Sequence, residues 1–196
     1  MRLGEDDLPV AVRDSAPWRP LLSEVLGDDS QNLFTGAVIA EPGAANQNPH
    51  MDGGHLFQAT HGYSQQQNPA HCLNVFVPLV DVSAENGPTE FWPGSHVLSE
   101  ARAAYDGQTP SLQLAGQRGD IIVFDYRVVH RGMANEGTEK RPVMYLTYAR
   151  SWFRDAENFP SETLLGAPKS AGGRGGFGGV VSAPKLTRQG RGKKKR

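Results

Sequence analysis

Apolar residues between positions 34 and 150 fall into short runs rich in β-branched and aromatic side chains. Turns containing Gly, Pro and Asn separate these runs, and no regular helical period lies between them. Runs of this kind are typical of short β-strands. The pattern therefore predicts an all-β dominated fold of antiparallel sheets, a double-stranded β-helix (jelly roll, cupin-like), with a few flanking helices.

Two short helices are expected beside the strands. Within residues 18–26 the apolar side chains recur at helical spacing, and Gly27 is placed to end the helix. Residues 99–105 contain Glu100 and three alanines, which predicts a short helix or turn inside the β-rich region.

The 196 residues, 38% of them hydrophobic, are enough for one core and favour a single folded domain. We predict a helical flank over residues 1–32, a jelly-roll domain over 33–168 and a Gly-rich, basic tail over 169–196. Cys72 is the only cysteine, so no internal disulfide can form, which fits a reducing, intracellular and most simply cytoplasmic location. No apolar run is long enough to span a bilayer, and no secretory signal is visible.

The tail has a charge opposite to that of the rest of the chain. Residues 185–196 hold seven cations and no acid, leaving 13 cations and 21 acids elsewhere, a net charge of −8. A segment so rich in Gly and cations cannot form a core, and we expect it to be disordered. The simplest interpretation is a solvated end; the alternatives are a nuclear localisation signal or a contact with nucleic acid or an acidic membrane.

Candidate metal ligands occur at His50 and Asp52, and again at His130. Residues two apart in an extended chain point to the same side, so His50 and Asp52 can reach one ion. His130 follows an apolar run over 119–130 that predicts a buried strand delivering a ligand. Two imidazoles and a carboxylate suit a ferrous ion with positions open for an oxoacid and dioxygen. Alternatively, His50 is a loop residue after a turn, and His130 a surface residue at a strand end.

Arg141 lies 11 residues beyond His130 and begins the next predicted strand. Pro142 favours an extended conformation for the arginine before it. Alternate positions then place Arg141 on one strand face with Val143, Tyr145, Thr147 and Ala149. A guanidinium on an apolar strand needs a carboxylate partner, and its fork could bind the distal carboxylate of a small diacid.

A further motif follows the strand predicted over residues 73–82. It runs from Glu85 to His96 and contains the turn Asn86-Gly87-Pro88-Thr89 and the ending Pro93-Gly94-Ser95-His96. Together with the His-x-Asp pair, the distal histidine and the arginine, these residues resemble the phytanoyl-CoA dioxygenase family of iron(II)- and 2-oxoglutarate-dependent oxygenases. The resemblance covers approximately residues 34–150.

The resemblance implies a role for each matching residue. His50, Asp52 and His130 would bind Fe(2+), and Arg141 would bind the C5 carboxylate of 2-oxoglutarate. Thr89 would donate its hydroxyl to this cosubstrate. Asn48 matches a position with an amide side chain near the cosubstrate, although a turn role suits it equally.

The implied activity is that of a dioxygenase using 2-oxoglutarate and O2, with ascorbate as a further candidate reductant. It would oxidise, most simply hydroxylate, a small organic substrate and release succinate and CO2. Related halogenases have a small residue in place of the carboxylate, so Asp52 indicates hydroxylation or desaturation instead. The alternatives are a catalytically inactive jelly-roll protein that binds or senses a metal, and a nucleic-acid-associated protein acting through its basic tail.

Two departures from the family pattern stand out. Only 49 residues precede His50, and Gly132 stands where some relatives have a serine near the cosubstrate. Of the remaining histidines, His96 is expected to shape a turn, with a substrate contact as the alternative, and His71 to begin a strand; His55 and His61 lie in the polar stretch 53–68. The polar stretch 53–68 is either a lid over the metal face or an ordinary surface loop.

Overall fold

Short strands dominate the secondary structure. The computed structural model describes residues 2–3, 12, 15–56, 68–155 and 158. The elements in chain order are β1 (Arg2–Leu3), α1 (Arg19–Leu26), β2 (Gln31–Ala40), β3 (Cys72–Pro78), β4 (Thr89–Phe91), α2 (Leu98–Tyr105), β5 (Leu112–Leu114), β6 (Ile122–Asp125), β7 (His130–Gly132) and β8 (Arg141–Ala149).

The strands form two antiparallel sheets. One has five strands in the order β1-β2-β8-β3-β6, and the other has three in the order β5-β4-β7. The longest pairing joins β2 to β8, from Gln31 opposite Ala149 to Ala40 opposite Arg141. Neighbours that are distant in sequence are thus adjacent in the sheet, as in a jelly roll, and the predicted fold class is confirmed.

The five-stranded sheet has one face in the hydrophobic core. Helix α1 packs on this face, because its Leu22 and Leu26 are buried in the same cluster as alternate residues of β3 and β8. The cluster comprises Ala16, Trp18, Leu22, Leu26, Leu73, Val75, Val77, Leu146 and Tyr148. The opposite positions of β3 and β8 are left to face the interior between the two sheets.

Both helices occur where the sequence predicts them. Trp18 is the N-cap of α1, and Gly27, with a φ of 100°, follows its last residue. The strand expected over residues 73–82 is shorter, since β3 ends at Pro78. Within the described residues, no helix has both the length and the apolar character needed to cross a membrane.

The run expected to be one strand ending at His130 is instead two strands joined by a turn. Strand β6 ends at Asp125, and its carboxylate accepts hydrogen bonds from the main chain and guanidinium of Arg127. The Val128 amide also donates to the Asp125 carbonyl. The turn moves the chain from the five-stranded sheet to the three-stranded sheet, so His130 begins β7.

Two predicted segments fall largely on residues that the structure does not describe. These are the stretch 53–68, of which residues 57–67 lie outside the described ranges, and the basic tail 169–196. The domain boundaries therefore stay predictions. His55, near the start of the first segment, is buried.

Gly87, in the turn Asn86-Gly87-Pro88, packs closely against the main chain that follows β7. Gly87 has a φ of +86°, and a Cβ at this position would lie 2.4 Å from the carbonyl oxygen of Ala134. Gly43 has a similar φ of +80°, but a Cβ there would meet nothing within 4 Å. The left-handed conformation alone should cost a Gly43→Ala variant about 1 to 2 kcal/mol.

Gly87→Ala should cost clearly more than Gly43→Ala, because it adds a clash with the main chain to the same conformational strain. Urea unfolding of both variants measures the difference in the free energy of unfolding. Equal losses would show that the loop after β7 yields to a methyl group at position 87.

Candidate metal centre

Main-chain hydrogen bonds bring His50 and His130 together. Each residue donates its amide to the carbonyl of the other, and both N···O distances are 2.9 Å. The pair is an antiparallel β-bridge, so the two side chains leave the backbone side by side. The imidazole centroids are 4.6 Å apart, although 80 residues separate the two histidines in sequence.

The two imidazoles are oriented in the same way. Nδ1 of His50 lies 2.9 Å from the Asn48 carbonyl oxygen, and Nδ1 of His130 lies 2.9 Å from that of Val128. A carbonyl accepts only, so in the neutral form of each ring Nδ1 carries the proton and Nε2 has the lone pair. Hydrogen bonds of this kind fix the tautomer and direction of histidines that bind metals.

Asp52 completes the group. Its Oδ1 lies 3.7 Å from Nε2 of His50, and its Oδ2 lies 3.7 Å from Nε2 of His130. These separations are too long for hydrogen bonds. One donor atom from each residue lies within 4.8 Å of the others, so the three surround a gap that could hold a metal ion. The donor set of two imidazoles and a carboxylate fits ferrous iron.

Burial supports the neutral form of one ligand. His130 is buried, and this burial lowers its pKa below the ordinary histidine value, while the Asp52 carboxylate acts in the opposite direction. A histidine must be deprotonated at the coordinating nitrogen to bind a metal. The buried position of His130 therefore favours the state that a metal requires.

Asp52 is held from both sides. Asn74 of β3 donates its amide to Oδ2 of Asp52 at 2.6 Å, and the Asn158 amide donates to the Asp52 main-chain carbonyl. The next residue, Gly53, leaves space for the Tyr126 ring, which a Cβ would approach to 2.4 Å. Asn158, which follows β8, therefore contacts the candidate centre. The close approach of the Tyr126 ring favours glycine at position 53.

The candidate metal ligands lie in the wall of a cavity of about 250 Å³. Strand β8 contributes alternate residues Arg141, Val143, Tyr145 and Thr147, as its period of two predicts, although Ala149 is not among them. Other side chains come from several elements; the lining also includes Ala37, Val38, Gln47, Asn74, Phe76, Thr89, Tyr126 and Gly132.

Arg141 provides the cavity with a buried cation. Only 4% of the residue is exposed, and its Nε has no hydrogen-bond partner among the described residues. Burial lowers the pKa of Arg141, but a guanidinium remains protonated at neutral pH. A buried, incompletely bonded guanidinium in a cavity is suited to an anionic ligand, because a carboxylate would supply the missing acceptors.

Other nearby arginines already have partners. Arg127 binds the Asp125 carboxylate at 2.7 Å, and Arg131 binds Glu90 at 2.6 Å. Arg150 donates to the main-chain carbonyls of Val25 and Ala70. None of these three lines the 250 Å³ cavity, which distinguishes Arg141 from them.

The two remaining predicted site residues differ in position. Thr89 is buried, begins β4 and lines the cavity. Asn48 is exposed and is not among the lining residues; it contributes only its carbonyl, which orients His50. The neighbouring Gln47 lines the cavity instead.

Gln47 is in direct contact with Gly132. Its Oε1 accepts a hydrogen bond from the Gly132 amide at 2.7 Å. A Cβ at position 132 would lie 3.0 Å from this oxygen and 3.5 Å from Nη2 of Arg141. A larger residue at position 132 would therefore press on the end of the Gln47 side chain.

Sequence reasoning missed Asn74 and Gln47. The available signal for Asn74 was a single amide within the apolar strand Cys72–Pro78, because an unpaired amide in a buried strand is costly. Gln47 lies in an irregular segment with many polar residues, where no period marks one of them as facing a cavity.

Comparison with known proteins identifies a family. The model of the family described as phytanoyl-CoA dioxygenase (PhyH) matches residues 5–143. The chain is 30% identical over 126 residues to the dioxygenase cnsJ of Penicillium expansum, covering 62% of this chain and 38% of that protein. It is also 30% identical over 131 residues to the dioxygenase andF of Emericella variicolor, covering 64% of this chain and 44% of the relative.

Among solved structures, the chain resembles EctD from S. alaskensis, crystallised with 2-oxoglutarate and 5-hydroxyectoine. The TM-score is 0.55 at 22% identity, over 72% of this chain and 52% of that one. At this identity the likeness supports the fold. The chain spans less than half the length of the two fungal relatives, so their activity as whole proteins does not transfer directly.

Replacing any candidate ligand should abolish stable metal binding. His50→Ala, Asp52→Ala and His130→Ala each leave two protein ligands, too few to hold ferrous iron tightly. Iron content after anaerobic loading and desalting measures the effect, with circular dichroism to verify folding. His96→Ala, at an exposed histidine of the turn after β4, is the matched control and should bind iron as the wild type does. Full iron content in folded His50→Ala or His130→Ala, or in folded Asp52→Ala in chloride-free buffer, would contradict the assignment.

Proposed function

This chain belongs to the phytanoyl-CoA dioxygenase family, and on that premise we propose that it is an iron(II)- and 2-oxoglutarate-dependent dioxygenase acting on a small organic substrate. The observation that carries the proposal is the position of Arg141. This buried guanidinium lies in the same cavity as His50, Asp52 and His130. A ligand such as 2-oxoglutarate has an oxoacid end that could bind the metal and a distal carboxylate that could bind Arg141.

Each part of the cavity then has a role. His50, Asp52 and His130 would hold Fe(2+) through two imidazoles and a carboxylate. Arg141 binds the distal carboxylate, and the Thr89 hydroxyl, buried in the same wall, is a further donor to it. Gln47 and Gly132 line the same cavity, and Gly132 lies next to the Arg141 guanidinium.

The bound iron, when present, would supply the activation of O2 that oxidises both 2-oxoglutarate and the substrate. The reaction balances as RH + 2-oxoglutarate + O2 giving ROH + succinate + CO2, with one oxygen atom entering each organic product. The protein positions the reactants and restricts water, since Phe76, Val143 and Tyr145 form apolar parts of the cavity wall.

The comparisons support this proposal at two levels. Two relatives of about 30% identity are named dioxygenases, and a protein of the same fold was crystallised with 2-oxoglutarate. The jelly roll alone would not indicate the chemistry, because one fold hosts many functions. The donor set and the buried cation indicate it here.

Formation of succinate distinguishes this proposal from a catalytically inactive metal-binding or sensing protein. The iron-loaded chain should convert 2-oxoglutarate to succinate slowly without a substrate, and faster when an oxidisable substrate is supplied. Iron bound at full stoichiometry with no succinate formed under either condition would favour the inactive alternative.

Arg141→Leu should retain iron but bind 2-oxoglutarate weakly. Removing one partner of a buried charge pair costs about 2 to 5 kcal/mol, which corresponds to about thirty-fold or more in the dissociation constant. Anaerobic titration of the iron-loaded protein with 2-oxoglutarate measures this dissociation constant. Lys140→Leu removes the adjacent cation, which is exposed and paired with Glu41, and should leave the affinity unchanged. Equal affinity in wild type and Arg141→Leu would assign the carboxylate to another group.

A further inference from the structure

A chain of two buried side chains connects strand β8 to Asp52. The Thr147 hydroxyl donates to Oδ1 of Asn74 at 2.7 Å, and Nδ2 of Asn74 donates to Oδ2 of Asp52 at 2.6 Å. Thr147 and Asn74 are 2% and 1% exposed, and they are direct cross-strand partners between β8 and β3. Asp52 itself lies outside any strand, so its side chain depends on such contacts for its direction.

The two hydrogen bonds, from Thr147 to Asn74 and from Asn74 to Asp52, determine which way the Asn74 amide is oriented. Its oxygen is occupied by the hydroxyl of Thr147, which leaves the NH2 group to face the carboxylate. The reversed amide would place an acceptor beside Oδ2 of Asp52 and would be repelled. A neutral donor also leaves the negative charge on Asp52, which a lysine or arginine at this position would offset.

We propose that Asn74 and Thr147 are positioning residues that hold Asp52 in the rotamer facing His50 and His130. The inference rests on the proposed function in one respect, namely that these three residues bind a metal. Asn74 holds Oδ2 in place, while Oδ1 faces Nε2 of His50 across 3.7 Å. Without the Asn74 donor, the partly exposed Asp52 side chain is free to turn towards solvent.

A purely structural role is the alternative, because a cross-strand hydrogen bond also joins β3 to β8. The chain contains a matched control for that role. Thr35 is 1% exposed and donates to Oδ1 of Asn32 at 3.1 Å. The Asn32 amide donates to main-chain carbonyls of Phe34 and Thr147 and to no candidate metal ligand. Thr35→Val therefore removes a similar buried hydrogen bond without reaching Asp52.

Titration of the metal-free protein with Co2+, followed by its visible absorption, tests the proposal without substrate, 2-oxoglutarate or oxygen. Asn74→Leu and Asn74→Asp should each weaken Co2+ binding about 10- to 100-fold, the range for groups that orient metal ligands. Thr147→Val should weaken it less, Thr147→Ser should restore it, and Thr35→Val should bind as the wild type does. Thermal unfolding is measured separately for every variant.

Unchanged Co2+ affinity and spectrum in folded Asn74→Asp and Thr147→Val would overturn the proposal, even if both were less stable. Should Asn74→Leu fail to fold, the isosteric Asn74→Asp and the paired threonine variants still decide the question. Absence of Co2+ binding by the wild type would overturn both this inference and the metal site. Wild-type binding without succinate formation would reject only the proposed enzymatic activity.

Discussion

The reciprocal hydrogen bonds between His50 and His130 are the interaction on which the candidate site depends. They are the centre of a longer attachment, since the Gln47 amide donates to the Gly132 carbonyl and the Gly53 amide to that of Tyr126. An irregular segment is thereby fixed against β7 in one register. A shift by a single residue would direct one imidazole away from the other, because side chains alternate along a bridge.

In strands β3 and β8, the same alternation places one set of side chains in the hydrophobic core and the other set in the cavity wall. Leu73, Val75 and Val77 face the core beneath α1, whereas Asn74 and Phe76 face the cavity. In β8, Leu146 and Tyr148 belong to the core, whereas Tyr145 and Thr147 line the cavity. Packing of the helix on one face therefore sets the geometry of the other, since a buried sheet admits only one register.

The sequence predicts the features that arise from local period. Alternation in β8 placed Arg141, Val143, Tyr145 and Thr147 on one face, and the helical stripe before Gly27 formed α1. The His-x-Asp spacing and the distal histidine indicated residues that the structure brings together. These predictions succeed because spacing along a strand or helix determines direction without reference to the rest of the fold.

Features created by contacts between distant segments could not be read in this way. The turn after Asp125 depends on hydrogen bonds to the Asp125 side chain. Because of this turn, His130 begins β7 and does not end the strand that was predicted. Gln47 accepts a hydrogen bond from Gly132, 85 residues away, and Asn74 joins Thr147 to Asp52. The turn depends on side-chain hydrogen bonds and the cavity contacts on residues distant in sequence, and no single period describes either.

The central claim is that one cavity holds both a metal, on His50, Asp52 and His130, and an oxoacid whose distal carboxylate reaches Arg141. A crystal structure of the protein grown anaerobically with ferrous iron and 2-oxoglutarate tests it most directly. We expect one anomalous iron peak bonded to the two Nε2 atoms and the Asp52 carboxylate, with the far carboxylate of 2-oxoglutarate on the Arg141 guanidinium. Iron bound elsewhere, or 2-oxoglutarate bound away from Arg141, would contradict the account.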